Sequence, residues 1–213
     1  LAARGLVYRC FKTRREIAED IARAPHHPGE GPEGVIYPGP PEPMSADEEA
    51  ERLERGEAFS WRLSINACRD HLGAAFDRLC FVETGEGPES ETGEVRARPE
   101  TLGDVILGRK DVGTSYHLAC THDDALQGVT HVIRGVDLYF ATHLHRLLQE
   151  LMGWSVPIYR HHRLMLDESG KRFAKRDRSL TLRALREAGE TPETLRERVG
   201  SCRDLAVVMI ECC

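Results

Sequence analysis

The sequence predicts an α/β fold with at least one parallel crossover. From Gly103 onward, short apolar runs bounded by turn residues alternate with segments of helical periodicity. A strand at 129–133 precedes an amphipathic helix whose apolar residues lie between Leu138 and Leu151, and a further strand follows at 157–166. Strand, helix and strand in this order favour a parallel pair, and ligands of such sheets bind beyond the carboxyl ends of the strands.

The first 60 residues predict an irregular helical insert. Residues 13–16 read Thr-Arg-Arg-Glu, a capping box that opens a helix over 13–24. Residues 45–48 read Ser-Ala-Asp-Glu, a second capping box that opens a polar helix ending near Gly56. A loop rich in proline and glycine separates the two helices.

Short elements with turn signals between them are predicted for the rest of the chain. The polar stretch Gly85–Arg98 has no periodicity and predicts an exposed loop. The remaining predictions are strands at 61–65, 79–82, 105–107 and 116–120, a turn at 167–170, and helices at 180–188 and 193–199.

Length and composition exclude several classes of protein. A chain of 213 residues suits one ordinary domain, with or without a small insert. Hydrophobic residues make up 40% and charged residues 30%, the mean hydropathy is −0.43, and no apolar run approaches the roughly 18 residues of a membrane span. Seven irregularly spaced cysteines without a Cys-x-x-Cys pair argue against a disulfide framework and for a reducing cytosol.

The charge distribution confines any nucleic-acid site to a local surface. The net charge is −6, which argues against a general basic surface. Between Arg160 and Arg186, however, nine basic residues stand against three acidic ones. A solvated helix face is the alternative explanation of that run.

One segment carries a resemblance to a known family. Residues 103–111 read Gly-Asp-Val-Ile-Leu-Gly-Arg-Lys-Asp, residues 114–119 read Thr-Ser-Tyr-His-Leu-Ala, and residues 128–135 read Gly-Val-Thr-His-Val-Ile-Arg-Gly. With Asp123-Asp124 between them, these motifs resemble the middle of glutamyl-tRNA synthetases and their shortened paralogues, which are class I aminoacyl-tRNA synthetases. The resemblance implies the second half of a Rossmann-like catalytic core with an insert. We therefore expect an acceptor-side insert over 1–100 and the catalytic half over 101–213.

The resemblance also assigns the substrates and two residues that bind them. It implies L-glutamate, ATP with Mg²⁺, and tRNA, and it places Tyr116 and Arg134 in the glutamate pocket. A guanidinium suits a side-chain carboxylate because its planar fork makes paired charge-assisted hydrogen bonds. The structural alternatives are a half-buried strand aromatic for Tyr116 and a surface ion pair for Arg134. Asp137, in the same motif as Arg134, is a further candidate for contact with the substrate or with the acceptor end of the tRNA.

A basic loop follows the predicted turn at 167–170. Lys171-Arg172-Phe173-Ala174-Lys175-Arg176 resembles the mobile Lys-Met-Ser-Lys-Ser loop of class I synthetases, so the resemblance places ATP at residues 172–176. A mobile ammonium at Lys175 would stabilise the negative charge that builds on the departing pyrophosphate. Ala174 departs from the pattern and removes a hydroxyl donor.

Two features of the family are missing from these residues. No His-x-Gly-His occurs, so we expect the first half of the core to be absent from this sequence and the fragment alone not to catalyse. Shortened paralogues hold zinc through Cys-x-Cys and Tyr-x-x-x-Cys, but the matching positions carry Cys10 and Lys12, then Tyr37 and Pro41. A structural zinc needs four ligands, so we expect no metal and a small apolar role for Cys10.

His161 and His162 cannot share one metal ion, because neighbouring residues in a strand point to opposite faces. A core or surface role is the better prediction for both.

Three functions are compatible with these residues. The first is a cytoplasmic, monomeric ligase that activates glutamate and loads it onto queuosine of tRNA(Asp), as the shortened paralogues do. The second is part of a complete glutamyl-tRNA synthetase. The third is a non-catalytic RNA-binding relative that uses the basic window, although RNA binding alone gives no reason to keep Tyr116, Arg134 and Lys175.

Overall fold

The computed structural model describes residues 1–23, 29–32, 34–164, 182–187 and 189–194. The chain divides into two compact units. Unit 1 comprises Leu1–Phe81, Glu94–Thr130 and Phe140–Pro157, and unit 2 comprises Val82–Gly93, His131–Tyr139 and Ile158–Cys213. The predicted division into an acceptor-side insert over 1–100 and a catalytic half over 101–213 stays a prediction.

The part of the chain that the structure describes forms fifteen α-helices and strands, apart from short 3-10 turns. The first eight are β1 (Val7–Cys10), α1 (Arg14–Arg23), β2 (Glu30–Gly31), β3 (Gly34–Val35), α2 (Ala46–Glu54), β4 (Ser60–Leu63), α3 (Ile65–Leu72) and β5 (Cys80–Glu83). The next seven are β6 (Gly93–Arg96), β7 (Ile106–Gly108), α4 (Tyr116–Gln127), β8 (His131–Gly135), α5 (Tyr139–Met152), β9 (Ile158–His162) and α6 (Leu182–Glu187).

A three-stranded antiparallel sheet of order β1-β4-β7 organises part of unit 1. Tyr8 pairs with Arg62 and Cys10 with Ser60, so these four side chains share one face of the sheet. The prediction of an irregular helical insert over the first 60 residues did not include the strand β1. Its strand partner lies about 50 residues further along the chain, and local periodicity cannot report such a pairing.

The capping box at Thr13 forms as predicted, and at Ser45 its N-cap hydrogen bond forms. The backbone N–H and the hydroxyl of Thr13 donate to the Glu16 carboxylate at 2.7 Å, and the Thr13 hydroxyl accepts from the Glu16 N–H. The Ser45 hydroxyl accepts from the Glu48 N–H and opens α2. Each cap satisfies backbone donors that the first helical turn leaves without a partner.

The strand predicted at 116–120 is wrong, because these residues begin helix α4. The Ser115 hydroxyl accepts a hydrogen bond from the Leu118 N–H, and Gly128 ends the helix in the left-handed conformation. Tyr116, Leu118 and Cys120 alternate with His117 and Ala119, a pattern that is ambiguous over five residues. The N-terminal cap decides in favour of helix.

Unit 2 contains the predicted parallel pair. β8 pairs with β9 over five residue pairs, with Arg134 opposite His161, and β9 also pairs in parallel with β5 at Glu83. The chain between β8 and β9 runs through α5, whose residues Ala141, Leu144, Leu147, Leu148 and Leu151 are buried. The predicted crossover is thereby confirmed.

The prediction of a loop over 85–98 is wrong toward its C-terminal end, where β6 forms next to β5 in the sheet. Its residues are mostly exposed, and an exposed polar strand lacks the alternating pattern that would predict it.

Two further findings concern the described residues. No helix among them combines the length and the apolar character that crossing a membrane requires. Cys10, Cys68, Cys80 and Cys120 are free thiols.

Candidate functional site

Arg134 lies at the carboxyl end of β8, where parallel sheets present their ligand-binding residues. Its Nε donates a hydrogen bond to Nε2 of His161 at 3.2 Å. Its guanidinium carbon also lies 5.4 Å from the centre of the Tyr159 ring. These contacts fix the plane of the guanidinium from one side, and all of them lie within unit 2.

A buried carboxylate holds His161 in turn. Nδ1 of His161 lies 2.5 Å from Oε2 of Glu83, and both side chains are fully buried. Oε1 of Glu83 accepts from the backbone N–H groups of His161 at 2.9 Å and Gly85 at 2.6 Å. A β-carbon at Gly85 would overlap the His161 carbonyl oxygen, so only glycine permits this close approach. We call Glu83, His161 and Arg134 the relay.

The hydrogen bonds of the relay define its protonation. Because the guanidinium of Arg134 can only donate, Nε2 of His161 must accept and Nδ1 must carry the proton toward Glu83. Burial lowers the pKa of His161, the bond to Glu83 opposes this, and the charge of Arg134 lowers the pKa further. Burial would raise the pKa of Glu83, but hydrogen bonds from His161 and Gly85 outweigh it and lower the pKa. The relay is thus a carboxylate, a neutral imidazole and a guanidinium.

Tyr116 is the first residue of α4 in unit 1 and is half exposed. Its ring meets the His117 ring edge-on at 5.6 Å and lies 6.0 Å from the His145 ring. His145 is buried, and its Nε2 lies 3.2 Å from Nδ1 of His117. Tyr116 is therefore a supported aromatic at a helix start rather than a half-buried strand residue.

The structure describes only some of the other predicted residues. The basic loop that includes Arg172, Phe173, Ala174, Lys175 and Arg176 lies outside the described residues. Asp137 is described, and it lies exposed in a single 3-10 turn directly after β8.

The degenerate zinc region forms a hydrogen-bonded cluster in unit 1. The ammonium of Lys12 lies 2.5 Å from Oδ2 of Asp20, and the Tyr37 hydroxyl donates to the same oxygen at 3.3 Å. Burial, with Cys10 and Asp20 nearby, raises the pKa of Tyr37. A zinc ligand must be deprotonated, so a protonated phenol, a fixed ammonium and one buried thiol do not fit zinc. Among the described residues, no group of three or more His, Cys, Asp or Glu side chains is placed to hold a metal.

Sequence reasoning missed Glu83 and its contact with His161. The two residues are 78 positions apart, so their contact depends on the pairing of β5 with β9. One signal was present in the sequence: Glu83 follows the apolar run 79–82 and shares the strand parity of Phe81, which places a carboxylate on a buried face.

Comparisons with known proteins show the family to which the chain belongs. Residues 84–202 match the family model described as tRNA synthetases class I (E and Q), catalytic domain. The chain is 43% identical over 202 residues to a protein named glutamyl-Q tRNA(Asp) synthetase from Rhodobacter capsulatus, covering 92% of this chain and 68% of the relative. It is 35% identical over 195 residues to a protein of the same name from Symbiobacterium thermophilum, covering 92% of this chain and 55% of the relative.

A solved structure shows the same fold. The glutamate-tRNA synthetase from Elizabethkingia anophelis superposes with a TM-score of 0.56 at 26% identity, over 81% of this chain and 33% of that chain. The chain thus spans about two thirds of one of these relatives and about half or less of the other proteins compared.

Proposed function

The chain belongs to the class I tRNA synthetases of the glutamate and glutamine group, and we propose that it takes part in activating L-glutamate with ATP and transferring it to tRNA. The observation that carries this proposal is the relay. A fixed guanidinium at the carboxyl end of a parallel strand is the cation that a substrate with a side-chain carboxylate needs.

In this proposal Arg134 binds the side-chain carboxylate of glutamate. Hydrogen bonding of Nε to His161 orients the plane of the guanidinium before the substrate arrives, so little rotamer entropy is lost on binding. Burial of Glu83 and His161 keeps water from competing for these bonds. The neutral imidazole matters as well, because a charged imidazolium would repel the guanidinium and could not accept its hydrogen bond.

Other predicted residues complete the proposed reaction. Tyr116 would line the amino-acid pocket through its exposed ring. Lys175 would stabilise the pyrophosphate that leaves when the glutamate α-carboxylate attacks the α-phosphate of ATP. Mg²⁺ would enter with the phosphates of ATP, and residues 172–176 would bind the nucleotide.

The proposed acceptor is queuosine in tRNA(Asp). The relatives from Rhodobacter capsulatus and Symbiobacterium thermophilum both bear the name of a glutamyl-Q tRNA(Asp) synthetase, which supports this choice over a complete glutamyl-tRNA synthetase. The basic window from Arg160 to Arg186 supplies positive charge that could meet an RNA backbone. The cytoplasm, where charged tRNA is used, is the proposed compartment.

The test measures transfer of radiolabelled glutamate to tRNA(Asp) that carries or lacks queuosine. We expect transfer only to the modified tRNA, and we expect Arg134→Ala in the full-length protein to abolish it. Arg96→Ala is the matched control, because Arg96 forms an exposed ion pair with Asp77 in unit 1. Normal transfer by the Arg134 variant would remove Arg134 from the glutamate site, and equal transfer to unmodified tRNA would refute queuosine as the acceptor.

A further inference from the structure

A basic cavity of about 430 Å³ lies within unit 1 and shares no residue with the relay. Its floor is the face of the three-stranded sheet that carries Cys10, Ser60 and Arg62. One wall is the start of α1, and the other is the loop 109–115 between β7 and α4. We call it the basic cavity.

The lining of the basic cavity is strongly positive in a chain that is acidic as a whole. Among the described residues, five basic side chains line it against one carboxylate, that of Asp111. The basic residues are Lys12, Arg14, Arg62, Arg109 and Lys110. Positive charge concentrated in a concave surface of an acidic protein attracts an anion locally, while the net charge of −6 repels polyanions elsewhere.

Local contacts hold two of these cations at the rim. The ammonium of Lys110 donates to the Phe11 carbonyl oxygen at 2.9 Å, so a neutral acceptor fixes its position without cancelling its charge. Arg109 and Asp111 form a two-point ion pair at 2.9 and 3.0 Å. That pair neutralises itself, and the Asp20 carboxylate neutralises Lys12, so the excess charge comes from Arg14, Arg62 and Lys110.

Arg62 contributes a buried charge to the floor. Its residue is about nine-tenths buried, and its Nη1 donates to the Asp104 carbonyl oxygen at 2.6 Å. Its Nε has no hydrogen-bond partner among the described residues. The guanidinium also lies 4.8 Å from the centre of the Tyr37 ring. A buried guanidinium whose hydrogen bonds are incompletely satisfied favours an anion nearby.

The start of α4 adds to the same potential. Ser115, its N-cap, lines the cavity, so the positive end of the α4 dipole points toward it. The start of α1 contributes less, because the Glu16 carboxylate already lies on Thr13 there. The cations, the buried guanidinium and one helix terminus together describe an anion site, and the helix terminus is the weakest of the three.

We propose that the basic cavity binds a phosphate group of the RNA that accepts glutamate. A phosphodiester fits because its unbridged oxygens can take bonds from several cations at once, and a polyanion gains further from release of its counterions. The proposal rests on the proposed function, because that function requires an RNA partner. ATP is the other source of phosphate, and the test separates the two.

The test titrates a fluorescein-labelled hairpin with the anticodon-arm sequence of tRNA(Asp), and separately a fluorescent ATP analogue, into the whole chain. The variant is Arg14→Gln with Lys110→Gln, two exposed cations of the cavity. The matched control is Arg15→Gln with Arg55→Gln, because Arg15 is the next residue of α1 and Arg55 follows α2, and neither lines the cavity. Circular dichroism confirms that all proteins are folded.

We expect the cavity variant to bind the hairpin about tenfold more weakly, the loss typical of a charge-assisted contact. The slope of log affinity against log salt should fall by about 0.7 to 0.9, which corresponds to one phosphate. The control variant and the ATP titration should be unchanged. Weakened ATP binding with unchanged hairpin binding would overturn the proposal, as would equal losses in the cavity and control variants, or no loss in either.

Glutamate-dependent ATP–pyrophosphate exchange without RNA, measured on the full-length protein, separates this proposal from the proposed function. If the cavity variant keeps normal exchange but loses affinity for the hairpin, both the proposed function and the proposed RNA site are supported. Absence of exchange in the wild type refutes glutamate activation whatever the cavity binds. Normal exchange, together with hairpin binding that the cavity variant does not weaken, refutes only the proposal that the basic cavity binds RNA phosphate.

Discussion

Replacing Glu83 with glutamine is expected to release Arg134 although the two side chains do not touch. The glutamine oxygen can take over the bonds from the backbone N–H groups of His161 and Gly85, which leaves the amide NH₂ facing Nδ1 of His161. Nδ1 must then accept, so the ring proton moves to Nε2. An N–H on Nε2 would oppose the Nε–H of Arg134, 3.2 Å away, and the hydrogen bond is lost.

The size of this effect follows from the bond that is broken. A hydrogen bond to a charged group contributes about 1.5 to 3 kcal/mol, so glutamate binding should weaken by about 10- to 100-fold. The loss should appear in the KM for glutamate, because Arg134 would bind the substrate in both the ground state and the transition state. The KM for ATP should not change.

Two measurements on the full-length protein check this prediction. Steady-state exchange gives the KM for each substrate, and long-range ¹H–¹⁵N spectra of histidine identify the tautomer of His161. Glu86→Gln is the matched control, because Glu86 is exposed in the same unit and its carboxylate accepts from the Ser90 hydroxyl rather than from the relay. A changed tautomer with an unchanged KM for glutamate would refute the role of the relay, and a variant that simply unfolds would be recognised by circular dichroism.

Two further predictions concern pH and metal. The folded pKa of His161 lies below the unfolded value of 6.5 and that of Glu83 below 4.5, so in both cases the unfolded chain takes up the proton first as the pH falls. In urea unfolding, the relay should therefore leave the free energy of unfolding constant above about pH 7 and lower it as the pH falls below 6.5, and His161→Gln should lack the part of this loss that comes from His161. A free energy of unfolding that rises on acidification would contradict this prediction. In the zinc region, elemental analysis should find far less than one zinc per chain, and Tyr37→Phe should cost about 1 kcal/mol through the lost bond to Asp20. Stoichiometric zinc, or a chelator that lowers the melting temperature, would show that the ammonium of Lys12 does not exclude the metal.

Local signals in the sequence were sufficient for helices α1, α2, α5 and α6 and for the parallel crossover. The capping boxes at Thr13 and Ser45 satisfy backbone donors within four residues, and the apolar face of α5 repeats at the helical period. Gly153, which ends α5, adopts the left-handed conformation expected of a helix terminator. These features depend only on neighbours in the chain, so the sequence is enough to predict them.

Elements that depend on distant partners could not be predicted in the same way. β1 exists because Val7–Cys10 pairs with Ser60–Leu63, and β6 exists because it completes an edge next to β5. At Tyr116, strand and helix patterns coincide over five residues, and the Ser115 cap selects the helix. The pattern of residues 116–120 alone supports a strand and a helix about equally.

The candidate site shows the same division. The family motif pointed to Arg134 and Tyr116, but no motif connects Arg134 to its support. Glu83 and His161 meet only because β5 and β9 are neighbours in parallel register. The sequence therefore predicts a candidate substrate-binding residue more readily than the buried groups that contact it.

A crystal structure of the full-length protein with L-glutamate and a non-hydrolysable ATP analogue would test the role of Arg134 without an intermediate step. We expect the side-chain carboxylate of glutamate at about 2.7 to 2.9 Å from the guanidinium of Arg134, with the bond from its Nε to His161 retained. A glutamate carboxylate bound by another cation, with Arg134 turned away from the substrate, would refute that role.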